Sequence, residues 1–195
     1  MPARILTCSL IALFLFAACN SDYTPRPRGY FRIPLPQHKY QVFDMPGYPY
    51  TFEYPVYATI VKDTTFFEEK AENPYWINID FPAFAGRVYI SYKQIAGNFE
   101  KLREDAYQMT YKHTQKATSI EDSVIQTPLG IGGVFFNVGG NAATGRQFYL
   151  TDTNRHFLRG ALYFDTTPNA DSLRDVNNFL QHDLDHLINT FKWKN

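Results

Sequence analysis

The sequence predicts an α+β domain, a largely antiparallel sheet with two amphipathic helices packed on it. Three observations point there. Runs of period two outnumber helical ones. They come in pairs joined by short turns. The chain then closes on one long apolar stripe at helical spacing.

From Tyr50 onward, Phe52, Tyr54, Val56, Ala58 and Ile60 alternate with Thr51, Glu53, Tyr57 and Thr59, the mark of a half-buried strand. Pro55 has no ladder donor, so this strand is an edge or carries a bulge. Residues 75–81, with Tyr75, Ile77, Ile79 and Phe81 on one face, pair with 87–93 through a short connection at 82–86. Asn98 is placed to cap a helix whose apolar positions Phe99, Leu102, Ala106, Met109 and His113 recur three and four apart. Strands follow at 131–138, 146–151 and 157–165, with Gly139-Gly140-Asn141 and Asp152-Thr153-Asn154 as turns. Ser172 with Asp175 makes a capping-box pattern. Leu173, Val176, Leu180, Leu184, Leu187 and Phe191 then form one stripe ending at Trp193. This order of elements resembles the PsbP/Mog1-type sandwich.

Residues 1–18 read as a lipoprotein signal peptide. Arg4 supplies the positive front, and Leu10 to Ala18 is apolar but shorter than the ~20 residues a membrane-spanning helix needs. Phe16-Ala17-Ala18-Cys19 resembles the bacterial lipobox, with Phe16 where Leu is usual, so Cys19 is the expected lipidated residue. Asn20 stands where an Asp would resemble an inner-membrane retention signal, and Asp22 is the lone acid nearby. The expectation is therefore a lipid anchor in the outer membrane.

Residues 19–49 carry Pro25, Pro27, Pro34, Pro36, Pro46 and Pro49 and read as a lipidated Pro/Arg-rich tether, with 50–195 as a single globular domain. Extended at about 3.1 Å per residue, 20–36 would reach on the order of 50 Å. Arg26, Arg28, Arg32 and Lys39 make this stretch basic, most simply as a solvated linker. Tyr30, Phe31 and Tyr40 suggest that its far part docks on the domain.

Losing Arg4 with the signal leaves 18 basic against 19 acidic residues, a balance that argues against nucleic acid as a partner. Cys8 leaves with the signal and Cys19 is acylated, so no thiol remains for a disulfide, a metal or nucleophilic catalysis.

No enzyme motif stands out. His182 and His186 are four apart, as two zinc-binding imidazoles are, but Asp183 replaces the Glu of the zinc-protease pattern and no third ligand is evident. At helical spacing they lie opposite Leu180 and Leu184, on the wet face. Gly140 to Arg146 has the glycine spacing of a phosphate loop without its Lys-Ser/Thr ending, and leads into a strand. Gly140, Asn141, Ala142, Ala143 and Thr144 thus read as a hairpin loop available for partner contact. Asp63, Glu68, Glu69, Glu72 and Asp80 are the candidates for a carboxylate pair, more simply a solvated loop, and His38, His113 and His156 have no spacing partner. No catalytic residue, cofactor or metal is expected.

Gly140-Asn141-Ala142-Ala143, Gln147-Phe148-Tyr149-Leu150-Thr151-Asp152 and His156-Phe157-Leu158-Arg159-Gly160-Ala161-Leu162-Tyr163-Phe164 resemble the gliding motility lipoprotein D (GldD) family of Bacteroidetes. So do Tyr23-Thr24-Pro25-Arg26-Pro27-Arg28-Gly29-Tyr30-Phe31-Arg32 near the front and Thr190-Phe191-Lys192-Trp193 at the end. The resemblance implies a lipoprotein of gliding and of the linked type IX secretion machinery, with the membrane and other envelope proteins as partners. It also implies the periplasmic face of the outer membrane, since surface export in that phylum resembles a run of acids after the Cys, and here Asp22 stands alone. It brings no catalytic or binding residue beyond Cys19. A structural or assembly role is the reading, with a periplasmic module for a small molecule or glycan as its alternative.

Overall fold

A computed structural model describes residues 32–63, 65–66 and 69–194. The chain divides into two units, Met1–Ile33 and Pro34–Asn195, and the second carries the fold. The signal, Cys19, Tyr30 and Phe31 lie outside the described residues. The folded unit starts at Pro34, earlier than the expected boundary at 50, because residues 40–43 pair as a strand instead of running on as linker.

The fold is α+β and antiparallel, as expected. A seven-stranded sheet takes the order β3 (Thr59–Lys62), β6 (Ile77–Phe81), β7 (Gly86–Gln94), β11 (His156–Phe164), β10 (Arg146–Thr151), β9 (Gly132–Gly140) and β8 (Ala117–Gln126). A small second sheet has β2 (Tyr50–Pro55) between β1 (Tyr40–Phe43) and β12 (Lys192–Trp193). β4 (Thr65–Phe66) and β5 (Glu69–Lys70) form a separate ribbon.

The long helix α2 (Ala170–Thr190) and the small sheet share the larger core on one face of the main sheet, where Phe52, Phe81, Ile90, Leu158, Leu180, Leu184 and Phe191 pack together. Helix α1 (Phe99–Tyr111) covers part of the other face over Val134, Phe136, Tyr149 and Phe157.

Four expectations change in detail. The run from 50 to 60 is two strands in two sheets: after Pro55 the chain turns at Val56 and Tyr57, with Ala58 N bonded back to Pro55 O at 3.0 Å. The buried stripe of α1 is Leu102, Ala106 and Thr110, and Met109 faces outward, because the helix settles its four-residue row on the sheet. Helix α2 begins before the Ser172–Asp175 box: Asn169 is the cap, its Oδ1 accepting from Ser172 N at 3.1 Å, while Asp175 pairs with Arg174. Asn98 makes no side-chain cap on α1, and its Oδ1 accepts from Ala96 N.

Candidate functional site

Position 183 falls on the apolar stripe of α2, between Leu180 and Leu187, and buries a carboxylate. Three donors converge on Asp183. His38 Nδ1 lies 2.7 Å from Oδ1, Tyr40 OH donates to the same oxygen at 3.1 Å, and Tyr57 OH donates to Oδ2. Each donor arrives by a local feature of the chain. Residues 34–39, outside any regular element, lead into β1 and bring His38 and Tyr40. The turn after Pro55 swings Tyr57 out of the strand path. An ionised carboxylate only accepts, so the facing His38 nitrogen carries its proton. Burial, then the Asp183 charge, raises the Tyr40 phenol to about 12, and the Tyr57 phenol is pushed higher still by burial and its bond to Asp183.

The same strap reaches His186. The Tyr40 ring lies parallel to that imidazole, and His186 Nε2 is 2.7 Å from Glu53 Oε2 on β2. His38 stacks on Phe179 with centroids 4.3 Å apart. His182 stays exposed, with its ring edge toward His38 at 5.8 Å. His182 and His186 thus share the wetter side of α2, but one meets Glu53 and the other solvent. Among the described residues, no group of three or more His, Cys, Asp or Glu side chains is placed to hold a metal.

The loop of Gly140, Asn141, Ala142, Ala143 and Thr144 packs on the start of α2. Asn141 Oδ1 accepts from Ala170 N at 2.8 Å, Asn141 and Ala143 face solvent, and Thr144 is buried. Beside it lies a cavity of about 280 Å³ lined by Asn137, Arg146, Asn169, Arg174, Asn177 and Asn178, among others. Arg146 donates there to Asn137 Oδ1 at 2.6 Å and, through Nε, to Gln181 Oε1 at 2.9 Å.

The remaining candidates are dispersed. Glu72 pairs with Lys93 and Asp80 with Arg87, so the imagined carboxylate pair is not assembled from these two. Glu68 lies outside the described residues, and Asp63 is buried. His156 bonds Tyr92 OH at 2.7 Å and stacks on Trp193, and burial lowers its imidazole. His113 is also lowered, by burial and then by the Arg159 charge. Sequence reasoning missed Asp183, Tyr57 and Glu53 as a group. The signal available was an acid at an apolar-stripe position of the clearest helix.

Fold and clasp together define a helix-backed antiparallel α+β domain whose front segment is held by a buried carboxylate. Among the described residues no helix is long and apolar enough to cross a membrane. The chain belongs to the gliding motility lipoprotein GldD family, whose model matches residues 20–193. It is a gliding motility lipoprotein, and membrane association follows from that class. Among curated proteins nothing matches it in sequence. A solved structure similar to the chain is cyanobacterial PsbP (CyanoP) from Synechocystis sp. PCC 6803, at 10% identity and a TM-score of 0.47, covering 82% of this chain and 95% of that one.

Proposed function

We propose that the protein is a periplasmic lipoprotein anchored to the outer membrane through Cys19. There it acts as a non-enzymatic structural or assembly component of gliding and of the linked type IX secretion machinery. The observation that carries this reading is the family match, which runs over the folded domain and not the front segment alone. The site chemistry supports it: Asp183, His38, Tyr40, Tyr57, His186 and Glu53 are engaged with one another. That arrangement holds a chain segment in place. The proposed organisation is a signal at 1–18, acylation at Cys19 and a tether up to the folded unit at Pro34, which reaches on the order of 45 Å when extended.

Two measurements test this. A deletion strain should lose gliding and secretion; one that keeps both removes the role. Radiolabelled palmitate should enter the wild type and not Cys19→Ala, and a Cys19→Ala protein that stays membrane-bound removes the anchor.

The asparagine- and arginine-lined cavity favours a second reading, a periplasmic binding module for a small molecule or glycan. Its walls offer amide donors and acceptors suited to hydroxyl groups, and Asn177 Oδ1 has no hydrogen-bond partner among the described residues. Native mass spectrometry of protein purified from envelopes should then show a bound small molecule. Polypeptide and acyl mass alone would remove this reading.

A further inference from the structure

We infer that the free edge of β8 is a strand-addition site for an extended, basic segment of a partner protein. This deepens the assembly role proposed above and rests on it for the partner being a protein.

β8 ends the order of the main sheet, and among the described residues it pairs with β9 alone. Its outer side is therefore a row of backbone donors and acceptors without a ladder partner. Native edges of this kind are usually short or carry lysine or proline. β8 has ten residues, Ala-Thr-Ser-Ile-Glu-Asp-Ser-Val-Ile-Gln, with neither, and no residue of it is buried. Val124 is 83% exposed.

A groove flanks the strand on each side. Toward α1 a hollow of about 670 Å³ is lined by Val124, Tyr107 and Tyr149, with Glu100 and Glu104 at its rim. Toward α2 a second, of about 360 Å³, is lined by Ile125, Phe135 and Ile188, with Asp185 beside them. Successive side chains of a strand point to opposite faces. A strand laid along β8 therefore sends alternate side chains over the two grooves, backbone bonds giving affinity and grooves giving selectivity.

Charge selects the occupant. Glu100, Glu104 and Asp185 line the grooves, and Glu121 and Asp122 stand on β8 itself. Arg103, the cation among the lining residues, is paired with Glu100 and the two offset each other, so Glu104, Asp185, Glu121 and Asp122 set the sign. A second copy fits poorly, because antiparallel pairing of two β8 strands in full register sets Glu121 opposite Asp122, like charge against like. A segment alternating apolar residues with lysine or arginine meets both requirements.

The test uses the full mature chain and amide hydrogen exchange. The probe is a ten-residue peptide alternating valine and lysine. It should slow exchange at 117–126 at least tenfold and bind at least tenfold more tightly than the same peptide with glutamate for lysine. Methylating its alternate backbone nitrogens should abolish binding, and Glu104→Lys/Asp185→Lys should weaken it. Equal binding of the two peptides, or protection centred elsewhere, overturns the proposal. So does protection of β8 without peptide: at high dilution it shows the chain's own residues on the edge, and if it grows with protein concentration it shows a second copy. Gliding of a deletion strain does not enter these readouts, so the edge and the assembly role can fail separately.

Discussion

The ring of Tyr40 lies flat on that of His186, with centroids 3.5 Å apart and planes 9° from parallel. One residue comes from a segment whose prolines suggest linker, the other from a helix face whose histidine spacing suggests zinc. Their contact accounts for both. Tyr40 is in β1 and also bonds Asp183, so the segment is folded onto α2, and His186 is held between that ring and Glu53.

Removing the acceptor at the centre of this clasp should loosen the strap. Asp183→Ala leaves His38, Tyr40 and Tyr57 without their common partner, and breaking such a buried arrangement costs about 3 kcal/mol. For a domain of this size that lowers Tm by roughly 6–12 °C. Tyr57→Phe removes one bond and should cost about 1 kcal/mol. Thermal unfolding of the single and double variants should show the two changes to be non-additive. An Asp183→Ala protein as stable as wild type would show that the clasp holds nothing.

The clasp also sets an alkaline limit. Tyr40 ionises at about 12 in the fold against 10.0 ordinarily, because burial and the Asp183 charge both disfavour the phenolate. A raised folded value means that the stabilisation is complete below pH 10 and is lost as pH rises toward 12. Unfolding free energy should therefore fall across that window. In Tyr40→Phe the fall should be shallower, read by fluorescence unfolding at stepped pH.

Legibility followed burial. Strands at 146–151 and 157–164 show in the sequence because both faces are covered, so large apolar residues stand side by side, as in Phe148-Tyr149-Leu150 and Phe157-Leu158. β8 does not show, since it lies open on both faces and its sequence reads as a polar loop. β1 is hidden for another reason: four residues between prolines carry too short a period, and only pairing with β2 makes them a strand. At the site, the His182/His186 spacing is plain, but its meaning depends on residues about 140 positions away. Asp183 was the informative letter, an acid where the stripe wants an apolar residue.

Gly133 on β9 should tolerate no side chain. A Cβ there would lie 2.0 Å from Tyr149 O on β10, and that oxygen belongs to the ladder, so it cannot swing away. Gly133→Ala should cost about 2–3 kcal/mol, at the upper end for overpacking. Gly132→Ala, whose Cβ meets Thr151 O at 3.7 Å, provides the matched control and should fold normally. Equal denaturation midpoints for the two variants would contradict this register.

The β10–β11 turn gives an acid-side prediction. Asp152 Oδ1 accepts from the backbone nitrogens of Asn154, Arg155 and His156 at 3.1, 2.8 and 2.8 Å, and Thr153 adopts φ +65° beneath it. Burial alone would raise this carboxyl, but the three backbone donors outweigh it and hold the group below its ordinary range. A lowered folded value means that the stabilisation is present above the unfolded value near pH 4 and disappears as pH falls through the folded one. Asp152→Ala should cost about 1–2 kcal/mol at neutral pH, like the loss of a good cap. The gap between wild type and variant should then close in urea titrations stepped below pH 4. Burial lowers the His156 imidazole, so its stabilisation is also lost as pH falls and adds a limb of its own to the wild-type curve. A gap that stays constant down to pH 2 would mean that the carboxylate charge contributes nothing to the turn.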